Sequence, residues 1–301
     1  MARRLPAAIA IATALAVGLG VLVPKALAAQ HPATSWVTRA DAPAPPVGGG
    51  TAGGGPAGQS GSPQSTVAVN FSGEFLGWAM LDRTTGSVIG ENLDKTSSTE
   101  SMIKTWVVAD HLRRAAAGKA GGPTPNEVKL ASDAIKWSDD DAAQTLYERT
   151  GGNESIERMI TMCGLTDTTV YDDWWSRTQM SPRDAVRLGE CLANGTAAGP
   201  AWTTWLLQEM RQVSGTTAAT EQQSTRGGGR WGIIDGVPAA QANTVAIKNG
   251  WTSYRSDGNW HINCLAVTDS WSMAVMMRYP SSQGLDYGAG VCESIAAQLL
   301  T

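Results

Sequence analysis

Ser101-Met102-Ile103-Lys104 opens a run in which apolar residues (Ile103, Trp106, Val107, Leu112, then Ala115, Ala116 and Ala117) recur at helical spacing and end near Gly118. Ser101 falls in the first turn and Lys104 three residues on, so both side chains project from one face. A helix N-terminus favours negative charge developing on a serine and disfavours a protonated amine beside it, and burial would lower the amine's pKa further. A lysine so placed can take the serine's proton and leave a nucleophilic oxygen. The same four residues also describe an exposed capping serine followed by a solvated lysine, and the spacing alone is common. Two stretches follow it in order, Ser138-Asp139-Asp140 and Lys248-Asn249-Gly250.

Working outward, Phe75-Leu76-Gly77-Trp78-Ala79-Met80-Leu81, then Thr84-Thr85-Gly86 and Ser87-Val88-Ile89, reads as a hairpin ahead of that helix. After it, Thr124-Pro125-Asn126-Glu127 is a helix start, with Thr as N-cap, Pro in first position and Glu closing a capping box; this helix runs to Trp137. Ser138-Asp139-Asp140-Asp141 opens another through Leu146 and Tyr147 to Gly151-Gly152, its three carboxylates suiting a helix N-terminus. Residues 153–163 give one more helix, and Ser181-Pro182-Arg183-Asp184 caps a helix to about Leu192. Residues 244–251, 261–268 and 272–279 read as strands and residues 290–300 as a closing helix. Strands at both ends around a helical middle predict an α+β domain.

The ends of the chain set the compartment. Arg3 and Arg4 precede an apolar run from Leu5 to Val23, and Ala26-Leu27-Ala28 supplies small residues for a signal peptidase. Residues 1–28 are therefore expected to be a signal peptide, or a retained single-pass anchor, since the run is long enough to span. Either way the remainder is extracytoplasmic, secreted or tethered to the outer face of the plasma membrane. No Cys follows the apolar run, which disfavours a lipid anchor. Residues 29–64, rich in Ala, Pro and Gly, predict a linker with almost nothing to bury. Residues 65–301 suit one domain. Loss of Arg3, Arg4 and Lys25 takes the net charge from −4 to −7, and an acidic chain without basic clusters is a poor nucleic-acid binder.

The four cysteines, Cys163, Cys191, Cys264 and Cys292, lack C-x-x-C spacing; an oxidising location favours disulfides, not zinc, and allows three pairings. There is no G-x-S-x-G elbow and no H-E-x-x-H. The three histidines, His31, His111 and His261, are too scattered for a triad or a metal site, and the acidic triplet lacks EF-hand spacing. No cofactor and no metal are expected.

The ordered trio S-x-x-K, S-D-x and K-x-G resembles the penicillin-recognising serine enzymes, meaning class A β-lactamases and the penicillin-binding peptidases. That resemblance implies an antiparallel sheet with flanking helices plus a helical subdomain, with the active site between them. It implies catalytic roles for Ser101, Lys104, Ser138 and Lys248, and substrate binding by Asp140, Asn249, Gly250 and Trp251. The backbone N–H groups of Ser101 and Trp251 would form the oxyanion hole. The implied function is an exported acyl-enzyme-forming hydrolase of amides, either D-Ala-D-Ala-type peptides or β-lactams. A β-lactamase with rearranged deacylation and an inactive peptide- or cell-wall-binding module are the alternatives. The expected partners are these substrates, and peptidoglycan, with no nucleic acid, membrane contact only through an uncleaved N-terminus, and a monomeric state.

Departures from the pattern are visible. Asp140 stands where the family has Asn, and an ionised carboxylate only accepts hydrogen bonds. Asn249 stands where Thr or Ser is usual. The separation of Ser101 from Ser138 is 37 residues, short for class A enzymes. The E-x-x-L-N motif is absent from the Ω-loop region; Tyr171-Asp172-Asp173-Trp174-Trp175-Ser176-Arg177 falls there, with Asp172 and Asp173 the nearest carboxylates in sequence. On this layout Cys163–Cys191 would tie the helices flanking the Ω-like loop and Cys264–Cys292 a strand to the closing helix.

Overall fold

The computed structural model describes residues 67–118, 121–223 and 226–300; the expected signal segment and linker lie outside the described residues. These residues fall in one compact unit, Gly61–Thr301. Strands β1 (Phe75–Asp82) and β2 (Val88–Glu91) form the expected antiparallel hairpin. The later strands are β5 (Ala246–Ile247), β6 (Gly250–Ser253), β7 (Asn259–Val267) and β8 (Trp271–Pro280). They complete a six-stranded sheet in the order β2-β1-β8-β7-β5, with β6 also paired to β7. All pairings are antiparallel. Two short strands, β3 (Ser97–Ser98) and β4 (Gln179–Met180), form a separate ladder.

The helical side comprises α1 (Lys104–Gly118), α2 (Pro125–Lys136), α3 (Asp140–Arg149), α4 (Asn153–Cys163), α5 (Pro182–Ala193) and α6 (Thr203–Arg211). α7 (Gly284–Leu299) packs beyond the sheet against the turn Gly232–Gly236. α1 is buried on every side over residues 104–112, which makes it the axis of the core; a helix enclosed on all faces sits inside a domain. The capping box at α2 is complete, with Thr124 accepting from the Glu127 N–H and the Glu127 carboxylate accepting from Thr124 N–H. At α5 the Ser181 hydroxyl accepts from Asp184 N–H at 3.2 Å.

Three expectations are corrected. The strand expected over residues 244–251 is interrupted at Lys248-Asn249, which separates β5 from β6. The closing helix starts at Gly284, six residues earlier than Gly290. Glycines in that stretch read as breaks, but Gly288 is needed because a Cβ there would lie 2.5 Å from the Tyr279 hydroxyl. α6 had no counterpart in the sequence reading; its Trp- and Thr-rich start hides the helical period. Both expected disulfides, Cys163–Cys191 joining α4 to α5 and Cys264–Cys292 joining β7 to α7, are formed.

Candidate active site

Ser101 lies in a 3₁₀ turn, Glu100–Ile103, that leads into α1, so it precedes the α-helix proper. Lys104 begins α1 and is completely buried. Ser138 sits between α2 and α3 with a left-handed backbone, φ 54°, a conformation that costs a non-glycine residue about 1–3 kcal/mol. Its neighbour Asp139 caps α3, accepting from Ala142 N–H at 2.9 Å. The twist at Ser138 turns its hydroxyl toward two amines. Lys248 Nζ donates to Ser138 Oγ at 2.9 Å, and Lys104 Nζ lies 3.3 Å from the same oxygen. Lys104 Nζ also donates to the Ser138 carbonyl and to Asp140 Oδ1, each at 2.5 Å.

The electrostatics follow from this crowding. Both amines have no exposed surface, and burial holds the Lys104 pKa below the usual lysine value although Asp140 pulls it back up. Lys248 is pushed well below its usual value, first by burial and then by the charge of Lys104. Asp140, its side chain 47 % exposed, presents the carboxylate to both Lys104 and the opening above.

That opening is a cleft of about 320 Å³ lined by Ser101, Glu100, Asp140, Gln144, Trp175 and Trp251, among others. Four of the eight residues expected at the site, Lys104, Ser138, Lys248 and Asp140, form one hydrogen-bonded cluster, and Ser101 and Trp251 line the cleft. Gly250 serves the approach of β6 to the start of α1: a Cβ there would lie 2.6 Å from Met102 N and Thr99 O and 2.7 Å from Ser101 N. Gly250, expected to bind substrate, is thus pressed against the chain's own backbone. Asn249 points elsewhere. It is 1 % exposed, and its amide donates to the carbonyls of Gly229 and Trp231, at 2.9 and 2.8 Å, so it braces the segment beside β6.

In the Ω-loop region the two aspartates are ordinary solvated loop charges. Asp172 and Asp173 are exposed and do not line the cleft; the carboxylates that do include Glu100 and Asp140. Trp175 is buried there, its ring centroid 5.3 Å from Lys104 Nζ and its Nε1 donating to Gln144 Oε1 at 2.8 Å. Arg177 is packed among the rings of Tyr171, Trp174 and Tyr254.

Glu100 escaped the sequence reading. It is 1 % exposed, has a left-handed backbone with φ 49°, and its carboxyl pKa is raised to about 7 by burial. An acidic residue before a helix looks like an ordinary dipole partner; its only signal was adjacency to Ser101.

The fold can be compared with known structures. An ancestral (GNCA) class A β-lactamase superposes with a TM-score of 0.56 at 19 % identity, covering 76 % of this chain and 94 % of that one. The chain has the class A β-lactamase fold. A β-lactamase from Xanthomonas campestris pv. campestris (TM-score 0.57, 16 % identity, 76 % and 91 % covered) is another match. So is the class A β-lactamase of Mycobacterium abscessus (0.55, 16 %, 76 % and 93 %). Residues 122–223 match the Beta-lactamase2 model of the beta-lactamase enzyme family. That span holds Ser138 and Asp140 but neither Ser101-x-x-Lys104 nor Lys248-Asn249-Gly250. Among curated proteins, "Putative lipoprotein LppW" of Mycobacterium tuberculosis is 28 % identical over 191 residues, 62 % of this chain. The chain spans 57 % of the length of these relatives.

Proposed function

We propose that the cleft is an acyl-transfer site at which Ser101 attacks an amide carbonyl and is transiently acylated. The observation that carries this reading is the Ser138 hydroxyl held between two water-excluded amines, Lys104 and Lys248, on the helix that follows Ser101 and on the sheet edge. Two ammonium groups on one buried hydroxyl repel each other, and Asp140 compensates a single charge. One amine is therefore neutral and can accept a proton. In the proposed sequence, Ser101 Oγ adds to the carbonyl carbon and its proton passes into the lysine pair, Lys104 and Lys248, which the Ser138 hydroxyl links. The oxyanion is received by the N–H groups of Ser101 and Trp251. As the C–N bond breaks, the Ser138 hydroxyl protonates the leaving nitrogen and is reprotonated from the lysine pair. The charge that the pair retains lies at the base of the cleft.

The substrate class we propose is a peptide or cyclic amide of the D-Ala-D-Ala or β-lactam type, met outside the cytoplasm. The two disulfides support that compartment, since such bonds persist in oxidising surroundings, and so does the lipoprotein name of the relatives. A second reading is favoured by one contact. Asp140 gives its carboxylate to Lys104 and has no N–H to offer a substrate carbonyl, as an inactive binding module would allow.

A fluorescent penicillin and an activated amide probe decide between them. Covalent labelling of the wild type that Ser101→Ala abolishes supports acyl transfer; labelling that survives, or maps to another serine, overturns it. If neither probe labels the wild type, the binding-module reading stands. The adduct should also persist. General-base catalysis of its hydrolysis is worth about 10²–10⁴ in rate, and Trp175 fills the ground beside Lys104 where the Ω-loop region approaches. Intact-mass spectrometry after a penicillin pulse should show the acylated species outlasting many times the acylation half-time. Rapid multiple turnover would make the β-lactamase reading the correct one.

A further inference from the structure

Glu100 is buried immediately before Ser101, yet its carboxyl is not paired with a cation in a salt bridge among the described residues. Its neighbours are hydroxyls. Thr252 Oγ1 lies 2.6 Å from Oε2, and Tyr254 OH lies 3.0 Å from Oε1 and 3.1 Å from Oε2. The Thr252 hydroxyl is also 2.8 Å from the carbonyl oxygen of Trp251. A hydroxyl has one proton to donate. If Thr252 donates to the Trp251 carbonyl, its short contact with Glu100 needs a proton from the carboxyl side. Every atom is then satisfied: the Glu100 carboxyl donates to Thr252, Thr252 donates to Trp251 O, and Tyr254 donates to Glu100 Oε1. An anionic Glu100 would take the Thr252 proton for itself and leave the Trp251 carbonyl without it.

We propose that Glu100 is a positioning residue that holds a proton and, through Thr252, fixes the Trp251 carbonyl and with it the course of β6 beside the acyl site. This deepens the acyl-transfer reading of the same cleft and rests on it for its consequence, though not for its geometry. Burial in this pocket supports the neutral form, bringing the carboxyl's titration to about 7. Tyr254 remains a donor, since burial and the neighbouring Glu100 raise its pKa. The other groups facing this pair come from three directions. Arg177, held among three rings, favours the anion from the loop side. The Ser98 hydroxyl on β3 also reaches the carboxyl and, where it donates there, favours the anion. His261 on β7 packs its ring 4.8 Å from that of Tyr254, accepts from Ser98 Oγ at Nδ1 and donates from Nε2 to Asp257 at 2.8 Å. Burial lowers the His261 pKa, so it adds no charge at neutral pH. Trp251 and Thr252 belong to β6, which Gly250 brings against the Ser101 turn. A proton gained or lost at Glu100 is thereby felt on both sides of the acyl site.

The test uses the full chain and the variant Glu100→Gln, whose amide is a permanent neutral donor and acceptor. The backbone amide resonance of Trp251 is followed by ¹⁵N–¹H correlation from about pH 5 to 9. In the wild type it should titrate with a midpoint near 7, and in Glu100→Gln it should be flat. In parallel, the ratio of wild-type to Glu100→Gln labelling rates should fall about tenfold as pH rises from 6 to 8.5, as β6 beside the acyl site loses its anchor. A flat Trp251 resonance in the wild type, or the same titration in both proteins, overturns the proposal. The resonance needs no acylation, so a protein that titrates as expected but is never labelled leaves the positioning role standing and removes the acyl-transfer reading instead.

Discussion

Asp140 is the side chain where the cluster departs most from the pattern it resembles. Its carboxylate raises the Lys104 pKa against the pull of burial. Asp140→Asn removes that charge, and an opposite charge at contact is worth roughly 1–3 pKa units. The rising limb of labelling rate against pH should therefore move to lower pH by about one unit or more, read from a pH series with the activated amide probe. An unmoved limb would place the base elsewhere. Glu100 gives a stability prediction with the opposite pH sense. Its carboxyl titrates near 7 when folded against an ordinary value of 4.5, so the proton is bound more tightly in the folded state. The stability it contributes is complete below about pH 4.5, declines between 4.5 and 7, and is gone above; the total is on the order of 3 kcal/mol. Urea midpoints of wild type and Glu100→Gln should diverge over that window in favour of the variant as pH rises.

At the scale of elements, the meeting of β6 with the Ser101 turn is the critical contact. Gly250→Ala would drive a methyl to within 2.7 Å of three backbone atoms, none of which can rotate away. Overpacking of this kind costs about 1–3 kcal/mol, and the displaced strand should also lose most Ser101 labelling. A denaturant melt and the labelling assay on the same sample check both. The order of the three motifs was legible because each sits at an element boundary that sequence marks well: a helix start, a junction after Trp137, a glycine at a strand. The direction of Asn249 was not legible, because the interruption between β5 and β6 leaves no regular alternation to count. Nor was the left-handed backbone at Glu100 and Ser138, since neither residue type announces positive φ. Trp175 looked like a loop aromatic; only tertiary packing brings its ring to Lys104.

Across the whole molecule, the two disulfides bind separate regions. One closes the segment from α4 to α5 that carries Trp175, and the other fastens α7 to the sheet; each pair is 28 residues apart. In the chain-entropy account a loop of that size stabilises by about 3–4 kcal/mol. Reduction should lower the thermal midpoint in calorimetry, and the paired variant Cys163→Ser/Cys191→Ser should impair the Trp175 side of the cleft before the sheet. A midpoint indifferent to reductant would contradict this. The α+β class was readable from the element order, while α6 and the early start of α7 were masked by Trp, Thr and Gly residues whose packing partners lie far along the chain.

The Trp175 indole, stacked over the Lys104 amine and anchored to Gln144, gives the cleft an optical voice of its own. A nearby ammonium alters the emission of an excited indole, so each change of charge or occupancy above Lys104 should register in the ultraviolet spectrum without any dye. Subtracting the spectrum of Trp175→Phe from that of the wild type would isolate this signal from the other tryptophans, and a stopped-flow trace of the difference would time the arrival of a ligand that carries no chromophore at all.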